Sequence, residues 1–89
     1  MNKRIVKEIE RHLYNYDKET PEWKAVIDKN KNELYEVDQK IVYLRYFKKK
    51  KINYITYELY ISRCKYFRSI NNFITNVAID AAYLRLFKP

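Results

Sequence analysis

Residues 52–73 read INYITYELYISRCKYFRSINNF, and this stretch decides the fold. Ile52, Ile55 and Leu59 recur at helical spacing, so a short helix is predicted over about Asn53 to Tyr60. A three-residue turn follows. Ser62 is a natural N-cap, because its hydroxyl can accept a free N–H of the next helix. Beyond it, Tyr66, Ile70, Phe73, Val77, Ala81 and Leu84 fall at spacings of four, three, four, four and three, with Phe67, Ile74 and Ala78 on the flank. That seam predicts a long last helix over about Arg63 to Leu86. Strand competes over Ile52–Ile61, which is rich in Ile and Tyr. Its alternation is imperfect and no Gly or Asn-Gly turn supports a hairpin, so helix is preferred.

A short helix, a tight turn and a longer basic helix form a helix-turn-helix pattern. Such a unit reads duplex DNA by placing the first turns of its second helix in the major groove. Those turns must be apolar on one side and polar on the other. Tyr66, Ile70 and Phe73 face inward, and Arg63, Lys65, Arg68, Ser69 and Asn72 are expected outward as base contacts. Arg can hold a guanine edge bidentately, and Asn an adenine edge. Just upstream, Lys48, Lys49, Lys50 and Lys51 form a basic connector, expected against phosphates. Adjacent like charges also disfavour continued helix there.

Upstream, Leu34, Val37, Ile41 and Leu44, widened by Val42, Tyr43, Tyr46 and Phe47, predict a helix over about Glu33 to Phe47. Thr20-Pro21 opens another, with Trp23, Val26, Ile27 and Asn30 as its stripe. Ile5, Ile9, Leu13 and Tyr16, after an Asn2 cap, predict the first, over about Lys3 to Tyr16. The expected fold is therefore all-α, a small bundle of four to five helices. Residues 1–32 form an N-terminal helical pair for packing or partner contact, and 33–89 the helix-turn-helix part, within one compact domain. A hairpin of residues 1–32 cannot bury its apolar stripe alone. The stripe is therefore expected to be covered, with Phe67, Ile74 and Leu84 offered as its receiving surface, and Trp23 within it is expected to be buried.

Charge divides the same way. Of the net +8, residues 1–39 carry eight Lys or Arg against nine Asp or Glu, whereas residues 40–89 carry eleven against two. An excess confined to one half suggests a polyanion partner for that half. Lys, Asn, Ile and Tyr supply 41 of the 89 residues. All four use A/T-rich codons, a bias expected of a low-GC bacterium or an element living in one. Seven of the ten tyrosines lie in the basic half, and six of them, Tyr43, Tyr46, Tyr54, Tyr57, Tyr60 and Tyr66, cluster there. Their spacing favours core and core-rim packing, with stacking on exposed bases as the competing reading.

Other chemistry finds little support. The chain has no glycine, so it has neither a P-loop nor a Gly-rich dinucleotide turn. The lone Cys64 excludes an intrachain disulfide and a cysteine zinc site. His12, with Glu8 and Tyr16 four residues to either side, makes a poor metal or acid–base site. No enzyme activity, cofactor or metal is expected. No run approaches a membrane span and no signal-peptide stretch opens the chain, so a cytoplasmic location is expected.

The stretch from Leu34 to Leu86 resembles region 4 of bacterial sigma factors through Val37, Ile41, Leu44, Arg45 and Tyr46, then Ile55 and Leu59, then Ile61-Ser62-Arg63, then Tyr66, Ile70, Phe73 and Val77. The run Ser62-Arg63-Cys64-Lys65-Tyr66-Phe67-Arg68 resembles the serine, basic, paired-aromatic, basic run of the RinA and ArpU type phage late-gene regulators. Tyr60 departs from the pattern, since many helix-turn-helix turns place Gly there. The resemblance implies a sequence-specific activator of phage late genes in the bacterial cytoplasm, associated with the nucleoid. It implies double-stranded DNA as ligand and host RNA polymerase as a second partner. A homodimer would match a palindromic site. The alternative is an interaction protein that binds an acidic surface, such as RNA polymerase, without specific DNA contact.

Overall fold

Asn2 opens the first helix. Its side-chain oxygen accepts the Arg4 N–H at 2.7 Å, and α1 runs Lys3–Tyr14 with Ile9 and Leu13 buried. This is a computed structural model that describes residues 2–87. Met1, Lys88 and Pro89, the outer ends of the two expected parts, lie outside the described residues. The first helix ends two residues before the expected Tyr16. Tyr16 instead starts a short 3₁₀ turn, Tyr16–Lys18, and its hydroxyl donates to Asp28 Oδ1 at 2.6 Å. That bond draws Tyr16 out of the α1 stripe and onto the next helix.

Helix α2, Pro21–Asn32, begins as its sequence dictates: the Thr20 side chain accepts the Trp23 N–H and Pro21 occupies the first turn. Trp23, Val26, Ile27 and Asn30 are buried. The Asn30 amide is satisfied by donating to Val26 O and to Asp80 Oδ2, each at 2.9 Å, which offsets its desolvation.

Helix α3 starts at Glu36, three residues later than expected, and is α-helical to Val42. Glu33 and Leu34 close α2 instead: their N–H groups bond Lys29 O and Lys31 O. The later start turns Val37 out of the core, where it is exposed. From Tyr43 to Phe47 the helix widens into a π turn, with the Lys48 N–H on Tyr43 O at 3.0 Å. Ile41, Val42 and Tyr46 are buried; Tyr43 is exposed.

Helix α4 spans Ile52–Leu59 and α5 spans Arg63–Tyr83. The last helix is three residues shorter than expected, because Arg85 takes a left-handed conformation at φ 56° and the Leu86 N–H bonds back to Ala81 O at 2.9 Å. Leu86 and Phe87 then fold against the core. Every other helix packs on α5, and Tyr66, Ile70, Phe73, Ile74, Val77 and Ala81 form the buried side of this rod. The structure is all-α, and no helix among the described residues is long and apolar enough to cross a membrane.

The surface offered to the N-terminal stripe is met in part: Phe67 and Leu84 are about half exposed, at 49 % and 54 %, though Leu84 lines a hollow with Val26 of α2. Trp23 is buried as expected, among aromatic neighbours. It stacks on His12, with ring centroids 3.8 Å apart, and Phe87 meets it edge-on at 5.6 Å. Of the three residues expected to receive the stripe only Ile74 is in the core.

Candidate nucleic-acid interface

The turn between α4 and α5 is built without glycine. Tyr60 takes the left-handed conformation, at φ 54° and ψ 45°. The Ile61 N–H reaches back to Thr56 O at 3.1 Å and the Tyr60 N–H to Tyr57 O at 3.4 Å. This paired closure satisfies two carbonyls at the helix end. The chain then re-enters a helix at Ser62, whose Oγ accepts the Lys65 N–H at 3.0 Å. The cap expected from sequence is therefore formed, and it fixes where α5 begins.

The first turns of α5 divide the expected base contacts into two groups. Arg63, Arg68 and Asn72 are exposed. Ser69 is not: it is 5 % exposed and its hydroxyl donates to Asp38 Oδ1. Lys65 is half-buried, with Nζ 3.1 Å from the same oxygen. Ser69 is thus corrected from a base contact to a structural tie between α5 and α3, and Lys65 is partly neutralised. The sequence pattern could not place Asp38, since it lies 31 residues from Ser69. On the outward side the structure adds Asn71 and Thr75, which are exposed. A helical wheel centred on the buried seam finds both.

Arg68, Asn72 and Asn76 line one wall of a shallow groove of about 200 Å³, closed opposite by Glu33, Tyr35 and Asp38. The groove therefore mixes donors with carboxylates. The more uniformly cationic surface is the lysine run before α4. Lys48, Lys49, Lys50 and Lys51 are all exposed. Lys48 Nζ lies 5.8 Å from the centre of the Tyr43 ring, and Lys50 Nζ 5.0 Å from that of Tyr54. Arg63 Nη1 donates to Asn53 Oδ1 at 3.4 Å, which ties the start of α5 to the start of α4 and so to the lysine run.

No family model, curated protein or solved structure matches the chain.

Behind this surface, Arg45 turns to the interior. Nη2 lies 3.2 Å from Glu10 Oε2, and Nη1 donates to the Tyr66 hydroxyl. The Tyr46 hydroxyl donates to Glu10 Oε2 at 2.9 Å. Burial opposes the charge on Arg45, yet its hydroxyl and carboxylate partners outweigh burial and hold the guanidinium firmly protonated. Burial raises the pKa of Tyr46, with Glu10 adding to the effect. The cluster joins α1, α3 and α5 beneath the candidate interface. His12 faces Glu19, with Nδ1 2.7 Å from both carboxylate oxygens, rather than Glu8. No cluster of three or more potential metal ligands occurs among the described residues.

Proposed function

We propose that the chain is a double-stranded DNA-binding transcriptional regulator, a binding protein rather than an enzyme, of the kind implied by its resemblance to the RinA and ArpU type activators. One observation carries the reading. The exposed start of a Ser62-capped helix, with Arg63, Arg68 and Asn72, adjoins four uncovered lysines and is tied to them through Asn53. Arg63, Arg68 and Asn72 supply base recognition and Lys48–Lys51 supply phosphate contact, dividing specificity from affinity. Contact with host RNA polymerase and pairing of two copies on a palindromic site belong to the same proposal.

Selection of bound duplexes from a random pool tests it, followed by titration of the selected site. A selected motif is expected. Arg63→Ala and Arg68→Ala should each weaken binding to it by about 1–3 kcal/mol with helicity retained. Changing the four lysines to Gln should weaken all duplexes alike and flatten the salt dependence by about one unit of slope for each lysine that neutralises a phosphate. Uniform weak binding with no selected motif overturns this reading in favour of a protein that binds an acidic partner surface.

A further inference from the structure

Helix α4 presents an aromatic face that the fold does not use. Tyr54, Tyr57 and Tyr60 are 45 %, 80 % and 94 % exposed. Among the described residues, neither Tyr57 nor Tyr60 has an aromatic neighbour or a side-chain hydrogen bond. Helical spacing alone suggests core or rim packing for these rings. Ile55 is the buried residue of α4, and Tyr57 lies on the opposite side of the helix from it. Tyr60 also occupies a left-handed position, where a side chain larger than Gly or Asn is disfavoured. Neither backbone conformation nor burial accounts for a tyrosine there.

Cations border this face on one edge. Lys50 lies over the Tyr54 ring at 5.0 Å, Lys51 is exposed beside it, and Arg63 reaches Asn53 from the start of α5. Glu58 is the exposed acid on α4, on the Tyr54 side of the helix.

We propose that Tyr54, Tyr57 and Tyr60 form a stacking surface for the unpaired bases of a single-stranded nucleic acid, whose phosphates run along Lys50, Lys51 and Arg63. Rings and cations side by side match the two parts of such a strand: π-faces that stack without regard to sequence, and a phosphate backbone. A closed duplex offers its bases as edges only, because their faces are already stacked within the helix. This surface shares Lys50, Lys51 and Arg63 with the duplex-binding surface proposed above and differs from it in its rings; it does not require that α5 read a duplex.

Fluorescence anisotropy with labelled 12-mers of thymidylate, of uridylate and of abasic deoxyribose phosphate tests the proposal. Thymidylate and uridylate should both bind, and the abasic strand much more weakly. Tyr57→Ala should weaken thymidylate binding roughly 5- to 100-fold, whereas Tyr57→Phe, which keeps the ring, should not. Tyr60→Asn, which keeps a residue suited to the left-handed turn, should weaken it as well. Circular dichroism checks that the variants fold. Abasic binding equal to thymidylate, wild-type affinity in Tyr57→Ala, or a preference for an acidic polyglutamate peptide each overturns the proposal. Arg68→Ala separates the two surfaces: it should weaken duplex binding and leave thymidylate binding intact.

Discussion

Lys65 Nζ lies 3.1 Å from Asp38 Oδ1, so a cation on the first turns of α5 is held by a carboxylate from α3. A phosphate or base edge must compete with that carboxylate. Asp38→Asn removes the negative charge and leaves an amide oxygen that can still accept from Ser69. The variant should bind duplex DNA more tightly at low salt, with the slope of log affinity against log salt steeper by about one unit. Filter binding across a salt series checks it, and an unchanged slope would place Lys65 outside the interface.

Trp23 reports on the packing of the N-terminal helices. It is buried between His12 and Phe87, so its native emission should be blue-shifted. Trp23→Ala should cost about 3–5 kcal/mol in denaturant unfolding. His12→Ala uncovers one face of the indole. Its emission should move to the red, with a loss of about 1–2 kcal/mol.

Three tyrosines give the fold an alkaline limit. Donation to Asp28 pushes the Tyr16 pKa up to about 12, and burial raises those of Tyr46 and Tyr66. The folded state therefore holds these protons more tightly than the unfolded state. The stabilisation is fully present below the ordinary phenolic pKa of 10.0 and, for Tyr16, is lost as pH rises from there to about 12. Denaturation midpoints should fall across that window. Absorbance titration should show these three phenols ionising later in the native protein than in urea.

The chain reverses direction at three left-handed residues, Lys49, Tyr60 and Arg85, with φ of 57°, 54° and 56°, and has no glycine to place there. A side chain in this conformation costs about 1–2 kcal/mol, and glycine's extra freedom in the unfolded chain returns part of that. Lys49→Gly and Arg85→Gly should each raise stability by about 0.5–1 kcal/mol by chemical denaturation. Alanine at the same positions should bring no such gain.

What is legible in the sequence is what depends on near neighbours. Ser62, Thr20-Pro21 and Asn2 mark helix starts through bonds spanning two or three residues. The α5 seam from Tyr66 to Ala81 is buried as its periodicity requires. What is not legible depends on distant partners. Periodicity shows which side of a helix is apolar, but not what covers the polar side, so the tie between Ser69 and Asp38 is hidden from it. The π turn at Tyr43–Phe47 changes the residue spacing inside a helix and breaks the wheel that assigns those positions. Tyr54, Tyr57 and Tyr60 look like core by spacing and are exposed because Ile55, with Ile52 and Leu59 at its edges, fills the contact that so short a helix can make.

A rod of 21 residues is about 30 Å long, and in α5 the end proposed to meet a ligand continues into the axis on which the other four helices are assembled. The reading end is therefore ordered before any ligand arrives, and docking carries no entropic penalty for forming that helix. A ligand gripping Arg63 and Arg68 is coupled to the cooperative unit that unfolds, so its binding should raise the melting temperature of the whole chain rather than protect one end. The same geometry denies the protein a hinge within its interface. Tilting α5 against α1 and α2 would uncover Phe73, Val77 and Ala81, so on the proposed function adaptation to a duplex falls to side chains and to bending of the duplex itself.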